Sequence, residues 1–387
     1  MKNNKLLIKG GRILTVSSKI IEKGDILIKN GKIADIAEEI NIRDADETID
    51  ATGLTITPGL IEAHCHIGIF EDSIGEGGND GNESTDPLTP HLRAIDAINP
   101  MDRAFLEAIS GGITTVSTGP GSSNILAGSF TIMKTYGHRV DKMVLKEVSA
   151  IKAAFGENPK RNHGSNGSSP KTRMAIAAML REILQKAKIY LEKKEQIKKG
   201  EFLDYDIKYE SLIPLLKGEI PLKVHAHRAD DIFTAIRIIR EFNLKATLDH
   251  CTDGHLIADD LKEEGFSTIV GPALTDRSKA EVKNLSFETA KALYDKGLLV
   301  AIITDHPEVP VNRLNVCAAL CVKEGLSNEE ALKMITINPA KILGIDKRVG
   351  SIEIGKDADI AIFDGDPLDA RSSVKWTIID GKVVYSA

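Results

Sequence analysis

Four apolar runs in this chain end in residues that can ligate a metal ion. The first reads Pro58-Gly59-Leu60-Ile61-Glu62-Ala63-His64-Cys65-His66. Residues two apart on a strand face the same side, so His64 and His66 would point inward together. Two imidazoles so placed can both reach one cation at roughly 2.0–2.1 Å. The pattern recurs in Val224-His225-Ala226-His227, and Leu248-Asp249-His250 closes a third run with a histidine. In Ile302-Ile303-Thr304-Asp305-His306-Pro307 an acid ends the run. A carboxylate at the mouth of a buried strand is costly unless it is paired or metal-bound. A lone histidine of this kind is more often a hydrogen-bonded core residue. Four such strand ends together are hard to explain as packing.

The chemistry implied is hydrolysis. A bound divalent cation lowers the pKa of a water from 15.7 to about 7, which gives a hydroxide nucleophile at neutral pH. Asp305 can take the water's proton and return it to a leaving nitrogen. Nitrogen and oxygen ligands suit zinc, with manganese, iron and cobalt left open and either one ion or two.

Parallel strands separated by helices would position these residues. Runs of buried-strand character cover Thr55 to Ala63, Thr114 to Thr118, Met143 to Ala153, Leu222 to Ala226, Lys245 to Asp249, Ser267 to Val270 and Leu298 to Thr304. Segments of helical apolar spacing lie between them, such as Asp231 to Phe242 and Phe287 to Lys296. That alternation predicts an α/β fold, and residues 59–347 suit a (β/α)8 TIM-like barrel with an insertion at about 160–220. Active sites of such barrels lie at the strands' C-terminal ends, where the histidines and Asp305 fall. Both termini read differently. Leu6 to Lys9, Arg12 to Val16, Asp25 to Lys29 and Lys32 to Ile36 alternate apolar and polar residues, with Asn30-Gly31 as a two-residue hairpin signal. Ala358 to Phe363, Val374 to Asp380 and Lys382 to Tyr385 repeat the texture. Residues 1–58 and 348–387 are therefore expected to form one small β-sandwich domain.

Composition narrows the function classes. The chain has 387 residues, 42% hydrophobic and 27% charged, which is ample material for a packed core. A net charge of −6 argues against a nucleic-acid surface, and the mixed Lys/Glu stretch from Lys188 to Lys199 reads as a solvated helix face. No run approaches the roughly 18–20 apolar residues of a membrane span, and no secretion signal is evident at the N-terminus. Cys65, Cys251, Cys317 and Cys321 fit no zinc-knuckle spacing, and disulfides are not expected. A cytoplasmic enzyme with a small-molecule substrate is the expectation, with homo-oligomerisation left open.

With these residues in view, the chain resembles the amidohydrolase superfamily. His64-x-His66 on the first strand, His225 and His250 on later strands and Asp305 on the last carry the resemblance. So do Pro58 to His64, Asn338-Pro339-Ala340 to Leu343-Gly344, Gly350-Ser351-Ile352 and Gly355-Lys356-Asp357-Ala358-Asp359. The likeness is greatest to the imidazolonepropionase-like branch, which contains ring-opening enzymes, deaminases and dipeptidases. It implies that His64, His66 and Asp305 surround the more buried metal. His225 and His250 would hold a second metal, or one of them would contact substrate, so His250 joins Asp305 as a catalytic candidate. A carboxylated lysine or a glutamate bridges two-metal sites; Lys152, on an apolar strand, is the favoured candidate and Glu157 its rival. An ordinary salt-bridged lysine is the alternative.

The resemblance implies a hydrolase of carbon–nitrogen bonds other than peptide bonds, acting on a cyclic amide, amide or amidine. A metallo-dipeptidase of prolidase type and a heterocycle deaminase are alternatives within the class. A non-catalytic barrel serving as a binding or assembly module is the alternative outside it. On the substrate side, His227 and Arg228 are candidates, the latter for a substrate carboxylate. The Gly-rich loop from Phe70 to Asp86 could position a cationic substrate group, the turn Gly119 to Asn124 has the look of a phosphate-binding turn without the P-loop lysine, and Lys160-Arg161 with His163 could line the pocket.

Overall fold

The computed structural model describes residues 5–42, 45–72, 74–165, 167–198 and 202–387. The expected N-terminal residues 1–4, and positions 166 and 199–201 of the expected insertion, lie outside them.

Two eight-stranded sheets organise the chain. One is built from both termini: Lys5–Ile13 lies between Thr55–Pro58 and Ile21–Lys29, and Ile360–Phe363 pairs antiparallel with Thr55–Pro58. Isoleucines from both ends of the chain, among them Ile8, Ile26, Ile56, Ile360 and Ile378, fill its core. The Asn30-Gly31 hairpin forms as its sequence implies, with both residues at positive φ and Lys29 paired with Lys32.

The second sheet is the barrel, composed of β1 (Leu60–Cys65), β2 (Ile113–Thr118), β3 (Leu126–Lys134), β4 (Val144–Ala154), β5 (Leu222–Ala226), β6 (Ala246–His250), β7 (Ser267–Val270) and β8 (Val300–Ile302). It nearly closes where the His66 N–H donates to the His306 carbonyl at 2.8 Å. Helices cover its outside. Arg103–Ser110, capped by the Asp102 carboxylate, buries Ala104, Phe105, Ala108 and Ile109; Ala229–Glu241 buries Ile232, Ala235, Ile236 and Ile239. Both sets follow helical spacing. No helix among the described residues is long and apolar enough to cross a membrane.

Two features depart from the sequence reading. Thr55 to Ala63 reads as one strand but is divided at Gly59, the first part joining the terminal sheet and the second starting the barrel. A Cβ at Gly59 would stand 2.1 Å from Thr114 Oγ1, so only glycine allows that junction to pack. Strand β3 was not anticipated, and it runs antiparallel to both neighbours. Residues 119–125 are too few for the crossover of a dozen or more residues that a parallel partner needs, so the chain turns straight back. The expected insertion is helical: Glu157–Gly164, Arg173–Gln196 and Ile207–Leu216 lie between β4 and β5.

Candidate metal centre

At the C-terminal ends of the strands the histidines and Asp305 come together. His66 Nε2 lies 3.2 Å and His64 Nε2 3.5 Å from Asp305 Oδ1. The ring centroids of His64 and His250 are 5.0 Å apart, and those of His225 and His250 4.4 Å. Lys152 reaches in from β4, its Nζ 3.0 Å from His64 Nε2. Glu157 instead begins the next helix, where its backbone N–H donates to Glu281.

Most of these rings are held from behind. His66 Nδ1 lies 2.7 Å from the Gly119 carbonyl, His250 Nδ1 2.8 Å from that of Gly271, and His225 Nδ1 3.0 Å from Ser122 Oγ. A carbonyl accepts only from a protonated Nδ1, which leaves Nε2 of His66 and His250 with its lone pair facing inward. His64 Nδ1 meets Asp249 Oδ2 at 2.5 Å. Asp249 is itself held by Lys223 Nζ at 2.9 Å and Thr247 Oγ1 at 2.9 Å. Lys223 also donates to the Ala63 carbonyl, next to His64, at 3.1 Å. Phe130 of β3 forms an apolar face beneath both lysines, 5.4 Å from Lys152 Nζ and 5.3 Å from Lys223 Nζ. Sequence reasoning assigned no role to Asp249, Lys223 or Gly271, and took Gly119 and Ser122 as part of a substrate-side turn rather than as partners that orient histidines. Asp249 carried a faint signal, an acid inside an apolar strand; the backbone acceptors carried none.

Electrostatics favour neutral imidazoles. Burial pushes His64, His225 and His227 well below the ordinary histidine value, with neighbouring cations or imidazoles adding to the effect, and brings His250 down to about 4 against the pull of Asp305. Burial likewise lowers the Lys152 ammonium to about 8, against the pull of Asp249 and Asp305. Burial alone would raise the Asp305 carboxyl, but His250 and His66 beside it hold it below the usual range. His250 and Asp305 both adopt positive φ, at 72° and 54°, a strained conformation for such residues that concentrates at functional sites.

These residues fit divalent cations. Among the described residues, His64, His250 and Asp305 form one trio able to hold an ion, and His225, His227 and His250 form another. His225 Nε2 and His250 Nε2 are buried with no hydrogen-bond partner among the described residues. A buried nitrogen lone pair without a donor is unfavourable unless something else occupies it.

A cavity of about 570 Å³ opens above the centre, lined by His66, His225, His227 and Asp305 with Ser122, Arg161 and Lys279. Arg228 pairs its guanidinium with Asp230, both partners roughly half exposed. His227 Nδ1 lies 2.8 Å from Thr252 Oγ1. His163 is buried, its Nε2 2.8 Å from Asn124 Oδ1.

Comparison with known proteins matches this arrangement to a family. The model of the Amidohydrolase family matches residues 216–384. A solved amidohydrolase from Thermotoga maritima is 41% identical, with 99% of this chain and 100% of that one covered and a TM-score of 0.96. The curated amidohydrolase tasK of Hapsidospora irregularis is 28% identical over 94% of this chain, which spans 40% of that protein's length. A 5'-deoxyadenosine deaminase of Methanobrevibacter smithii is 25% identical over 100% of this chain and 90% of its own length. A likeness of 41% over 99% of this chain and 100% of that one reaches well beyond shared architecture, and the chain belongs to the amidohydrolase superfamily.

Proposed function

We propose that the chain hydrolyses a carbon–nitrogen bond in a small cyclic amide, amide or amidine, using divalent metal held at the barrel rim. His64, His66 and Asp305 would hold the inner cation, and His225 and His250 the outer one. Zinc is the metal best suited to this nitrogen-rich set. When bound, the metal supplies Lewis acidity and brings the pKa of a water near 7.

The chain's own residues do the rest. Asp305, ionised and 3.2 Å from His66 Nε2, accepts the nucleophile's proton and delivers it to the leaving nitrogen. The Asp249 carboxylate orients His64, and Lys223 Nζ pairs with that carboxylate at 2.9 Å. Lys152 is the better bridging candidate than Glu157. Its amine sits beside His64 Nε2, and its depressed pKa makes the neutral, carbon dioxide-reactive form accessible. Lys223, by contrast, is committed to Asp249. Substrate would enter the cavity past His227 and Arg161, while Arg228 is occupied by Asp230. Residues 59–347 would carry the catalysis, with 1–58 and 348–387 as the supporting domain.

The observation that carries this reading is the meeting of His64, His250 and Asp305, from three separate strand ends, within range of one ion. Likeness to the M. smithii deaminase over the whole chain favours a second reading, release of ammonia from a heterocycle. A substrate panel of cyclic amides, N-acyl amino acids and amino-substituted heterocycles, assayed for new carboxylate and for ammonia, tests both. Turnover of no member in zinc-loaded or manganese-loaded protein would favour a binding module instead.

A further inference from the structure

The family pattern supplies the outer cation with His225, His250 and a bridging group from β4. The chain carries one more histidine there. We propose that His227 is a third protein ligand of the outer cation, completing a three-histidine site with His225 and His250; this rests on the metal-dependent reading above.

A ring nitrogen of each of these three residues lies within 4.8 Å of one on the others. Nitrogens sharing a tetrahedral ion at about 2.1 Å stand about 3.4 Å apart, so closing from the 4.8 Å bound needs shifts of up to about 0.8 Å per ring. Each ring has a partner at Nδ1: His225 at Ser122, His227 at Thr252 and His250 at Gly271. Anchoring at Nδ1 turns the three Nε2 atoms toward a common space, and those of His225 and His250 are buried and unpartnered among the described residues. His227 Nε2 lies 3.9 Å from Glu281 Oε1, a carboxylate oxygen that holds Lys279 at 2.7 Å. Glu281 Oε1 is also 4.0 Å from His225 Nε2, so a buried carboxylate faces the same space as the rings. A hydrogen-bond partner behind each ring fixes its orientation, as the outer partners of metal-binding imidazoles do.

This arrangement has a consequence for Lys152. Three imidazoles retain the outer cation whether or not the lysine is carboxylated, so loading of two ions does not depend on carbon dioxide.

The test is metal binding by the metal-free full chain, using zinc in equilibrium dialysis and cobalt(II) absorption. The wild type is expected to bind two equivalents. His227→Gln should weaken one equivalent by about 100-fold and leave the other unchanged, since even indirect partners of a metal site are worth 10–100-fold. His227→Asp, which can still ligate, should recover most of that loss, whereas a residue that only positioned substrate would show neither effect. Lys152→Met should keep both equivalents. Should His227→Gln fail to fold, the His227→Asp protein and its altered cobalt spectrum decide the matter. Two equivalents bound by His227→Gln with affinity within about threefold of wild type would overturn the assignment, as would a wild type that binds one equivalent and keeps it in His227→Gln. A wild type that binds no metal would overturn the hydrolase reading along with it.

Discussion

Two buried lysines, at opposite ends of the barrel wall, are treated in opposite ways. Lys134 ends β3 at the seam with the terminal sheet, where Asp359, Asp357 and Asp380 surround its ammonium. Burial alone would lower its pKa, but those acids, Asp359 foremost, raise it above the ordinary lysine value. Lys152 lies in β4 at the rim with an imidazole as its nearest partner, and burial brings it down to about 8. A buried charge that a structure needs for cohesion is surrounded by counter-charge; one left short of partners is available for chemistry.

The contrast can be broken by changing one lysine at a time. Lys152→Met is expected to lower kcat/KM by about 10²–10³-fold or more, the scale of losing one electrostatic stabiliser, while metal-free stability stays the same or rises. Steady-state kinetics and urea unfolding, run on one preparation, check both halves. Lys134→Met should reverse the pattern. It would lose about 3–5 kcal/mol of stability, the cost of leaving buried carboxylates uncompensated, with kcat little changed in folded protein. If Lys134→Met spared stability and abolished turnover, the seam would be part of the active site.

Smaller effects sharpen the comparison. Asp249→Asn should cost 10–100-fold in affinity for the inner cation, because the His64 ring loses the carboxylate that orients it. Bicarbonate-dependent reactivation of metal-free protein should follow the neutral amine of Lys152. Its rate would rise with pH, level off above about 8, and show no further rise toward the 10.4 of an ordinary lysine. A rate still climbing at pH 10 would mean the amine is not depressed. Arg228→Ala should alter kcat/KM by no more than about threefold, as its partner is a half-exposed aspartate.

What the sequence made legible follows from periodicity. A strand repeats every two residues, so His64-x-His66 and His225-x-His227 announced paired inward positions without any knowledge of the fold. The β/α alternation announced the barrel. Strand β3 escaped because Leu-Ala-Gly-Ser-Phe-Thr-Ile-Met-Lys has no helix before it to mark a new repeat. The break at Gly59 escaped because its cause is Thr114, distant in sequence. The groups that orient the histidines were hidden for the same reason. Asp249 and Lys223 meet only because β5 and β6 pair in register, His225 opposite Asp249, and Gly119 and Gly271 act through carbonyls that every residue possesses.

The claim on which the rest depends is that divalent cations bind among His64, His66, His225, His250 and Asp305. An anomalous-difference map at the zinc absorption edge, from crystals grown with zinc and bicarbonate, tests it directly. The expected result is strong density at the barrel rim, with His64, His66 and Asp305 at about 2.0–2.2 Å from one peak. Peaks confined to surface residues, with the rim histidines bonded only to water, would contradict it.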